Sequence, residues 1–188
     1  MPDQTAATRM PDMYRFFSLS MRYPHPSWLT ATYFITFFTL LGELGWDEEA
    51  AGLRSRFEAD GDPLEPLRVE YTRLFINAIP HVVAPPFGSI YVNPDGVVYG
   101  ANAVATKAFY REHGFELASE TAIPDDLGCE LEFLATLAEQ GKTEAEKLFL
   151  RTLFRPWFPI FRDRVIGESL HPFYVVVVKL IDFFSLNP

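Results

Sequence analysis

The sequence predicts an all-α fold, a single-domain helical bundle of seven or eight helices with one long Pro/Gly-rich loop. Apolar residues recur at helical spacing along most of the chain, and this period stops only between Ile79 and Gly100. Four prolines exclude a continuous helix there, namely Pro80, Pro85, Pro86 and Pro94. The 188 residues are 48% hydrophobic, which suffices for one compact core and is short for two. We therefore expect one domain over residues 1–188, with residues 1–11 flexible.

The first half of the chain contains four predicted helices. The first covers Asp12 to Tyr23 and ends there because a residue before proline avoids the helical region. The second runs from Trp28 to Leu44 and is apolar on nearly every side, as is typical of a buried helix or a subunit contact. The third runs from Asp47 to Ala59. Pro63 begins the fourth, whose apolar stripe includes Tyr71, Leu74 and Phe75.

The long loop has a strong turn signal near its centre, from Asn93 to Gly96. The residues on either side, Ile90 to Val92 and Val97 to Tyr99, are mainly β-branched or aromatic and predict a minor hairpin. A long ordered loop in a small helical domain is more often functional than a plain connection. We therefore expect this loop to contribute to the functional site.

The second half of the chain contains four further predicted helices. They run from Asn102 to Gly114, from Thr121 to Gln140, from Thr143 through Leu153, and from His171 onwards. Gly114 and Gly141 supply helix stops. Thr143 and Glu146 match a capping box, in which each side chain bonds the other residue's backbone N–H. We expect the nearby arginines to be solvated or paired with acidic neighbours and not to form an anion site; these are Arg151, Arg155, Arg162 and Arg164.

The helix from Thr121 to Gln140 has an acidic beginning. Pro124 can occupy its first turn, and Asp125 and Asp126 then lie near the positive end of the helix dipole. Glu130 follows one turn after Asp126, and a cationic partner would remove the repulsion between the like charges. Acidic first turns also occur as ordinary dipole compensation, so both interpretations stay open.

Charge and cysteine content narrow the class of protein. A formal net charge of −9 disfavours nucleic acid as a partner and favours basic peptides. The one cysteine, Cys129, excludes an internal disulfide and any site with several cysteine ligands. We find no apolar signal core and no convincing membrane span. These features predict a cytoplasmic protein without stable membrane insertion.

The sequence offers little catalytic chemistry. No spacing among the four histidines would place two on one helical turn, so we expect no metal site. Ser89 lacks the flanking glycines of a nucleophile elbow, and no phosphate-binding glycine loop occurs. We therefore expect neither a cofactor nor enzymatic activity.

Several motifs resemble, in order, those of the TorD/DmsD (NarJ-like) family of redox-enzyme maturation chaperones. They are Tyr14 to Leu19 with Arg22 to Pro24, Glu70 to Phe75, Pro85 to Tyr91, Pro124 to Phe133, Pro156 with Trp157, and His171 to Tyr174. Together they span almost the whole chain. The resemblance implies an all-helical cytoplasmic chaperone. Such a chaperone binds the twin-arginine signal peptide of a molybdenum-cofactor enzyme subunit and delays its export until the cofactor is inserted.

The resemblance also implies a binding surface. By position, the family's peptide-binding residues map onto Leu74, Phe75, Pro86, Phe87, Ser89, Tyr91, Gly100, Asp125 and Asp126, and the charge argument adds Glu130. An aromatic groove suits the apolar part of a signal peptide, and carboxylates suit its arginines. We therefore expect charge reversal of Asp125 and Asp126 to weaken peptide binding and to flatten its salt dependence. The implied partner is the precursor of a molybdoenzyme catalytic subunit, and a homodimer stays open.

The chain departs from the family pattern at three positions. Asp126 and Leu153 stand where the family often has histidine, and Phe87 stands where several members carry tryptophan. We expect the second carboxylate, that of Asp126, to strengthen the attraction to arginine.

Two other classes of protein remain as alternatives. A small hydrolase or nucleotide-binding enzyme would use Asp125, Glu130 and His81, and it predicts a carboxylate of raised pKa in a concave pocket. A structural assembly subunit would use the Trp28 to Leu44 helix as a permanent interface.

Overall fold

A computed structural model describes residues 4–77, 82–93, 95–119 and 121–186, with side chains from Met10 onward. Across these ranges it contains ten α-helices and no β-strand, which confirms the all-α prediction. The helices are α1 (Gln4–Ser20), α2 (Ala31–Glu43), α3 (Asp47–Asp60), α4 (Leu64–Tyr71), α5 (Ser89–Val92), α6 (Ala101–Glu112), α7 (Leu127–Glu139), α8 (Thr143–Phe149), α9 (Phe158–Glu168) and α10 (Pro172–Leu186). None of the helices in the described ranges is both long and apolar enough to span a bilayer.

The helix count exceeds the predicted seven or eight because α5 and α9 were missed. The first helix also begins at Gln4 instead of Asp12. Two π-helical turns, Thr72–Ile76 and Leu150–Phe154, continue α4 and α8. In each of them a backbone N–H donates to the carbonyl five residues earlier, as from Arg155 to Leu150 at 2.8 Å.

Internal contacts divide the chain into two compact units. The first comprises Met1–Arg22, Pro85–Asp163 and Lys179–Pro188, and the second comprises Tyr23–Ala84 and Arg164–Val178. The expectation of a single domain stays a prediction.

In the first unit, α1 packs along α7. The contact buries Tyr14 and Phe17 of α1 and the leucine stripe of α7. Phe133 of α7 lies at the centre of an aromatic cluster, with ring centroids 4.6 Å from Tyr110 and 4.9 Å from Phe149. Such aromatic pairs contribute geometry-specific stabilisation beyond their buried area.

The second unit is held by an aromatic core and by buried polar pairs. Phe37 and Phe173 have ring centroids 5.6 Å apart. Glu70 is buried and accepts hydrogen bonds from Arg73 at 2.8 Å and from the backbone N–H of Leu170 at 2.5 Å. Burial alone would raise the pKa of Glu70. The hydrogen bonds and the positive charge of Arg73 instead hold this pKa below its usual value.

The predicted helix stops are confirmed, and the predicted capping box is wrong. Gly114 and Gly141 follow α6 and α7 with φ of 75° and 66°, in the left-handed region that glycine adopts readily. The N-cap of α8 is Lys142, and no side chain caps it. The carboxylate of Glu146 is buried and instead accepts a hydrogen bond from the hydroxyl of Tyr14 at 2.8 Å. A buried tyrosine hydroxyl needs an acceptor, whereas a helix-end N–H can be solvated.

The predicted hairpin in the long loop is also wrong. Ser89 to Val92 form the short helix α5, and the N–H of Asn93 donates to the carbonyl of Ser89 at 3.1 Å. The β-branched residues here follow a conformation set by tertiary hydrogen bonds, because local β propensity is a weak preference.

Candidate functional site

The beginning of α7 is defined by Asp126. Its backbone is extended, with φ of −69° and ψ of 133°. Its side chain accepts the backbone N–H of Gly128 at 2.9 Å and of Cys129 at 3.2 Å. Asp126 is therefore the N-cap, so the prediction that Pro124 and Asp125 lie in the first helical turn is wrong. Aspartate is among the strongest N-cap residues, and the cap position must be non-helical.

Asp125 is fully buried and holds the residues after Pro86 in place. One carboxylate oxygen accepts the backbone N–H and the hydroxyl of Ser89, both at 2.5 Å, and the amide of Asn102 at 3.3 Å. Backbone bonds of 2.9 Å reinforce this contact, from Gly88 to the carbonyl of Asp125 and from Leu127 to that of Pro86. Residues 86–89 are thus fastened to the entry of α7 through both backbone and side chain.

Glu130 lies buried one turn into α7. One of its oxygens accepts the indole N–H of Trp157 at 3.2 Å, and the other has no hydrogen-bond partner among the described residues. The second carboxylate oxygen of Asp125 likewise has none. Burial, and then the charge of Asp125, raise the pKa of Glu130 well above its usual value, while the Trp157 bond opposes the shift. Glu130 therefore keeps its proton to a higher pH than a solvated glutamate.

Gly88 allows the loop to approach this polar cluster closely. A Cβ atom at Gly88 would lie 2.5 Å from the amide nitrogen of Asn102 and 2.9 Å from the indole nitrogen of Trp157. Tyr91 covers the same indole, with its ring stacked at 5.9 Å and 20°, and its hydroxyl donates to the carbonyl of Pro85 at 2.8 Å. Only glycine fits at position 88 without displacing these groups.

Several apolar side chains of the loop are partly exposed, and we call this set of residues the loop surface. It consists of the partly exposed side chains of Pro86, Phe87, Ile90, Tyr91 and Val92. These residues are held by the hydrogen bonds to Asp125 beneath them and not by a regular sheet. Three of these residues belong to α5, so the loop surface presents apolar side chains from a segment that is already held in place.

Of the three predicted carboxylates, only Asp126 reaches solvent. Asp125 and Glu130 have no exposed surface, whereas Asp126 is half-buried. Burial raises the pKa of Asp126 to about 6, and this effect outweighs the two backbone N–H groups that bind its carboxylate.

The remaining predicted site residues lie in other surroundings. Leu74 and Phe75 belong to the second unit and are buried there, with Phe75 packed against Tyr174 at 5.4 Å. Gly100 precedes α6 and lies against Asn93, whose side chain would overlap a Cβ at that position. Leu153, where the family often has histidine, is buried in the second π-helical turn.

The structure gives little support to the hydrolase alternative. The raised pKa of Glu130 meets one of its expectations, but neither Glu130 nor Asp125 has any surface that a substrate could reach. His81 lies outside the described residues. Burial raises the pKa of the Cys129 thiol to about 12, which disfavours a nucleophilic role. The described part of the chain contains no group of three His, Cys, Asp or Glu residues suited to a metal.

Sequence reasoning assigned no role to three residues of this site, Gly88, Asn102 and Trp157. Gly88 and Trp157 lie within the motifs that carry the family resemblance, which was the available signal. Asn102 had no such signal, because only the folded chain brings it to Asp125.

Comparisons with known proteins agree with this architecture. The family model for the nitrate reductase delta subunit matches residues 43–163. The Tat proofreading chaperone DmsD of Salmonella typhi is 36% identical over 120 residues, which are 62% of this chain and 57% of that protein. The chaperone protein TorD of Actinobacillus succinogenes is 28% identical over 158 residues, 81% of this chain and 80% of that protein.

A solved structure also shares the fold. The crystal structure of a candidate redox enzyme maturation protein from Archaeoglobus fulgidus has a TM-score of 0.62 and 28% identity, and covers 93% of each chain. The family model covers more than half of the sequence, and the motifs that suggested the resemblance are distributed along it. The chain therefore belongs to the nitrate reductase delta subunit family, the group of TorD- and DmsD-like proteins that its motifs resemble.

Proposed function

We propose that the protein is a non-catalytic cytoplasmic chaperone for an exported redox enzyme. It binds the twin-arginine leader of a precursor of the molybdenum-cofactor class and delays export until the cofactor is inserted. Membership of the family and the names of the related chaperones support this role. The observation that carries it is the apolar loop surface, whose Phe87 forms a backbone bridge with the half-buried Asp126. A leader peptide offers the matching pair of features, an apolar stretch and two arginines.

The proposal divides the predicted site residues by what they can touch. Pro86, Phe87 and Tyr91 contact the apolar part of the leader, and Asp126 attracts an arginine. The buried residues support this surface. Ser89 and Asp125 hold the loop, and Glu130 holds Trp157, on which Tyr91 stacks. Gly100 makes room for Asn93, and Leu74 and Phe75 stabilise the core of their own unit.

This division changes the experiment that tests the function. Charge reversal of Asp125 would disrupt a buried hydrogen-bond network, so a loss of binding would not identify a direct contact. Asp126→Asn is the sharper variant, because asparagine caps a helix as well as aspartate does and removes only the charge. Glu112→Gln is the matched control, since Glu112 is an exposed carboxylate on α6.

The measurement is fluorescence anisotropy with a labelled leader peptide, taken from the precursor that co-purifies with the C-terminally tagged protein. We expect Asp126→Asn to weaken binding several-fold and to reduce its salt dependence, with Glu112→Gln unchanged. Phe87→Ala should weaken binding at all salt concentrations, whereas Ile160→Ala, which truncates an exposed residue of α9, should not. Wild-type affinity in both Asp126→Asn and Phe87→Ala would remove this mapping.

The homodimer is a separate part of the proposal. The α2 helix buries Tyr33 and Phe37, and its opposite face exposes Ile35 and Thr36. Static light scattering over a concentration series tests whether this face associates. A constant monomer mass would exclude both the homodimer and the assembly-subunit alternative.

A further inference from the structure

A second groove in the first unit has the opposite charge to the chain as a whole. We call it the cationic groove; it encloses about 410 Å³ and is lined by Lys147, Leu150, Arg151, Arg155, Ser185 and Leu186. The whole chain carries a formal net charge of −9. On a protein of this net charge, a groove lined by three basic side chains is a site where the local charge is opposite in sign to that of the whole molecule.

The cations of the groove are only partly neutralised by the protein itself. Arg155 donates to Asp182 at 2.5 Å and to the hydroxyl of Ser185 at 3.1 Å. The other oxygen of Asp182 is taken by Arg162, also at 2.5 Å. Arg162 also pairs with Asp163 at 2.8 Å, so the two arginines are balanced by two aspartates. The unpaired positive charge of the groove is therefore that of Lys147 and Arg151.

Lys147 and Arg151 are exposed and form no ion pair within the described chain. They lie one helical turn apart, a spacing at which like charges repel by a few tenths of a kcal/mol. The adjacent carboxylate of Glu146 is buried and accepts a hydrogen bond from the hydroxyl of Tyr14. It interacts electrostatically with Lys147 without forming an ion pair. A bound anionic group would relieve this repulsion.

The groove also has an apolar part. Leu150 is buried at its base, and Leu186 is 56% exposed at its edge. Phe183, one turn before Leu186, is 42% exposed. A small inorganic anion would leave this apolar area in water, whereas a peptide with both acidic and apolar side chains would cover it.

We propose that the cationic groove docks an acidic segment of a partner protein, in which carboxylates flank an apolar side chain. The carboxylates pair with Lys147 and Arg151, and the apolar side chain packs against Leu150 and Leu186. A twin-arginine leader carries the wrong charge for this groove. The site is therefore separate from the loop surface, and it does not depend on the function proposed for that surface.

The test uses a labelled hexapeptide of glutamate and leucine, with a lysine and leucine peptide of the same length as the charge-reversed probe. The groove variant carries both Lys147→Glu and Arg151→Glu. The matched control is Lys107→Glu with Arg111→Glu, which reverses two cations at the same spacing on α6, outside the groove. All four side chains are at least partly exposed, and urea midpoints verify that the variants remain folded.

We expect wild-type protein to bind the acidic peptide and not the basic one, with affinity that falls between about 50 and 200 mM salt. The groove variant should lose at least about tenfold in affinity, which corresponds to about 1.4 kcal/mol, and the α6 control should stay within about twofold. Leu186→Ala should weaken binding a few-fold at both salt concentrations, because it removes apolar contact without changing charge.

Three results would overturn the proposal. The first is absence of acidic-peptide binding at low salt, and the second is an equal loss in the α6 control. The third is self-association of the wild-type protein that disappears in the groove variant while the peptide does not bind, since this would assign the groove to a second copy of the chain.

Discussion

Replacing Glu130 by glutamine measures the free-energy cost of keeping a carboxyl group buried beside Asp125. Glutamine has nearly the same size, can still accept the indole N–H of Trp157, and does not ionise. The protein raises the pKa of Glu130 above its ordinary value of 4.5, chiefly through burial and next through Asp125. We expect Glu130→Gln to stabilise the folded state at neutral and alkaline pH.

The magnitude follows from proton linkage. In the unfolded chain Glu130 ionises above pH 4.5, whereas the folded protein keeps the proton to higher pH. The stability associated with this group is therefore complete below pH 4.5 and falls, by about 1.4 kcal/mol per pH unit, until the folded pKa is passed. At about pH 7.5, roughly three units above the unfolded pKa, the loss reaches at most about 4 kcal/mol. Replacing Glu130 by glutamine can therefore raise the free energy of unfolding by no more than this amount.

The assay is urea unfolding monitored by tryptophan fluorescence, at about pH 5, 6, 7 and 8. Wild type and Glu130→Gln should have similar free energies of unfolding at pH 5 and diverge in favour of the variant as pH rises. Glu139→Gln, an exposed position at the other end of α7, should show no divergence of this kind. A pH-independent difference, or a variant that loses stability relative to wild type as pH rises, would refute the reasoning.

Three further predictions concern the same site. Asp125→Ala should destabilise the protein by about 3 kcal/mol or more in urea unfolding, since each of the two bonds from Ser89 to the carboxylate is worth roughly 1.5–3 kcal/mol. Asp125→Asn keeps one acceptor oxygen and should cost less, so equal losses would contradict the described geometry. Gly88→Ala should lower the free energy of unfolding by about 1–3 kcal/mol, because the added methyl group overpacks the site. Gly52→Ala, which has open space around its Cβ, should raise it by about 0.5–1 kcal/mol. An unchanged stability in Gly88→Ala would argue against the close approach. The carboxyl carbon of Asp126 should titrate in NMR with a pKa of about 6, and a value near 4 would show that the helix-cap bonds outweigh burial.

Long periodic segments were predictable because their helical character is local. The helix predicted from Thr121 to Gln140 contains α7, although α7 begins only at Leu127, and the glycines at 114 and 141 marked two helix ends correctly. The helix predicted from His171 onwards is α10, which forms although its run of valines has strand-like propensity. Short elements failed, because the four residues of α5 have too little local pattern to outweigh their β-branched composition.

The sequence by itself determined that this chain is all-helical, acidic and equipped with a proline-rich loop, and its motifs identified the family. Only the tertiary structure decided what the carboxylates at the start of α7 do. Asp125 meets Ser89 across 36 residues and Glu130 meets Trp157 across 27, and no local pattern encodes such contacts. A carboxylate attracts a cation when water reaches it and supports a loop when it is buried under hydrogen bonds. Burial depends on how the whole chain packs, which is why three neighbouring acidic residues with similar sequence signals have different roles in the fold.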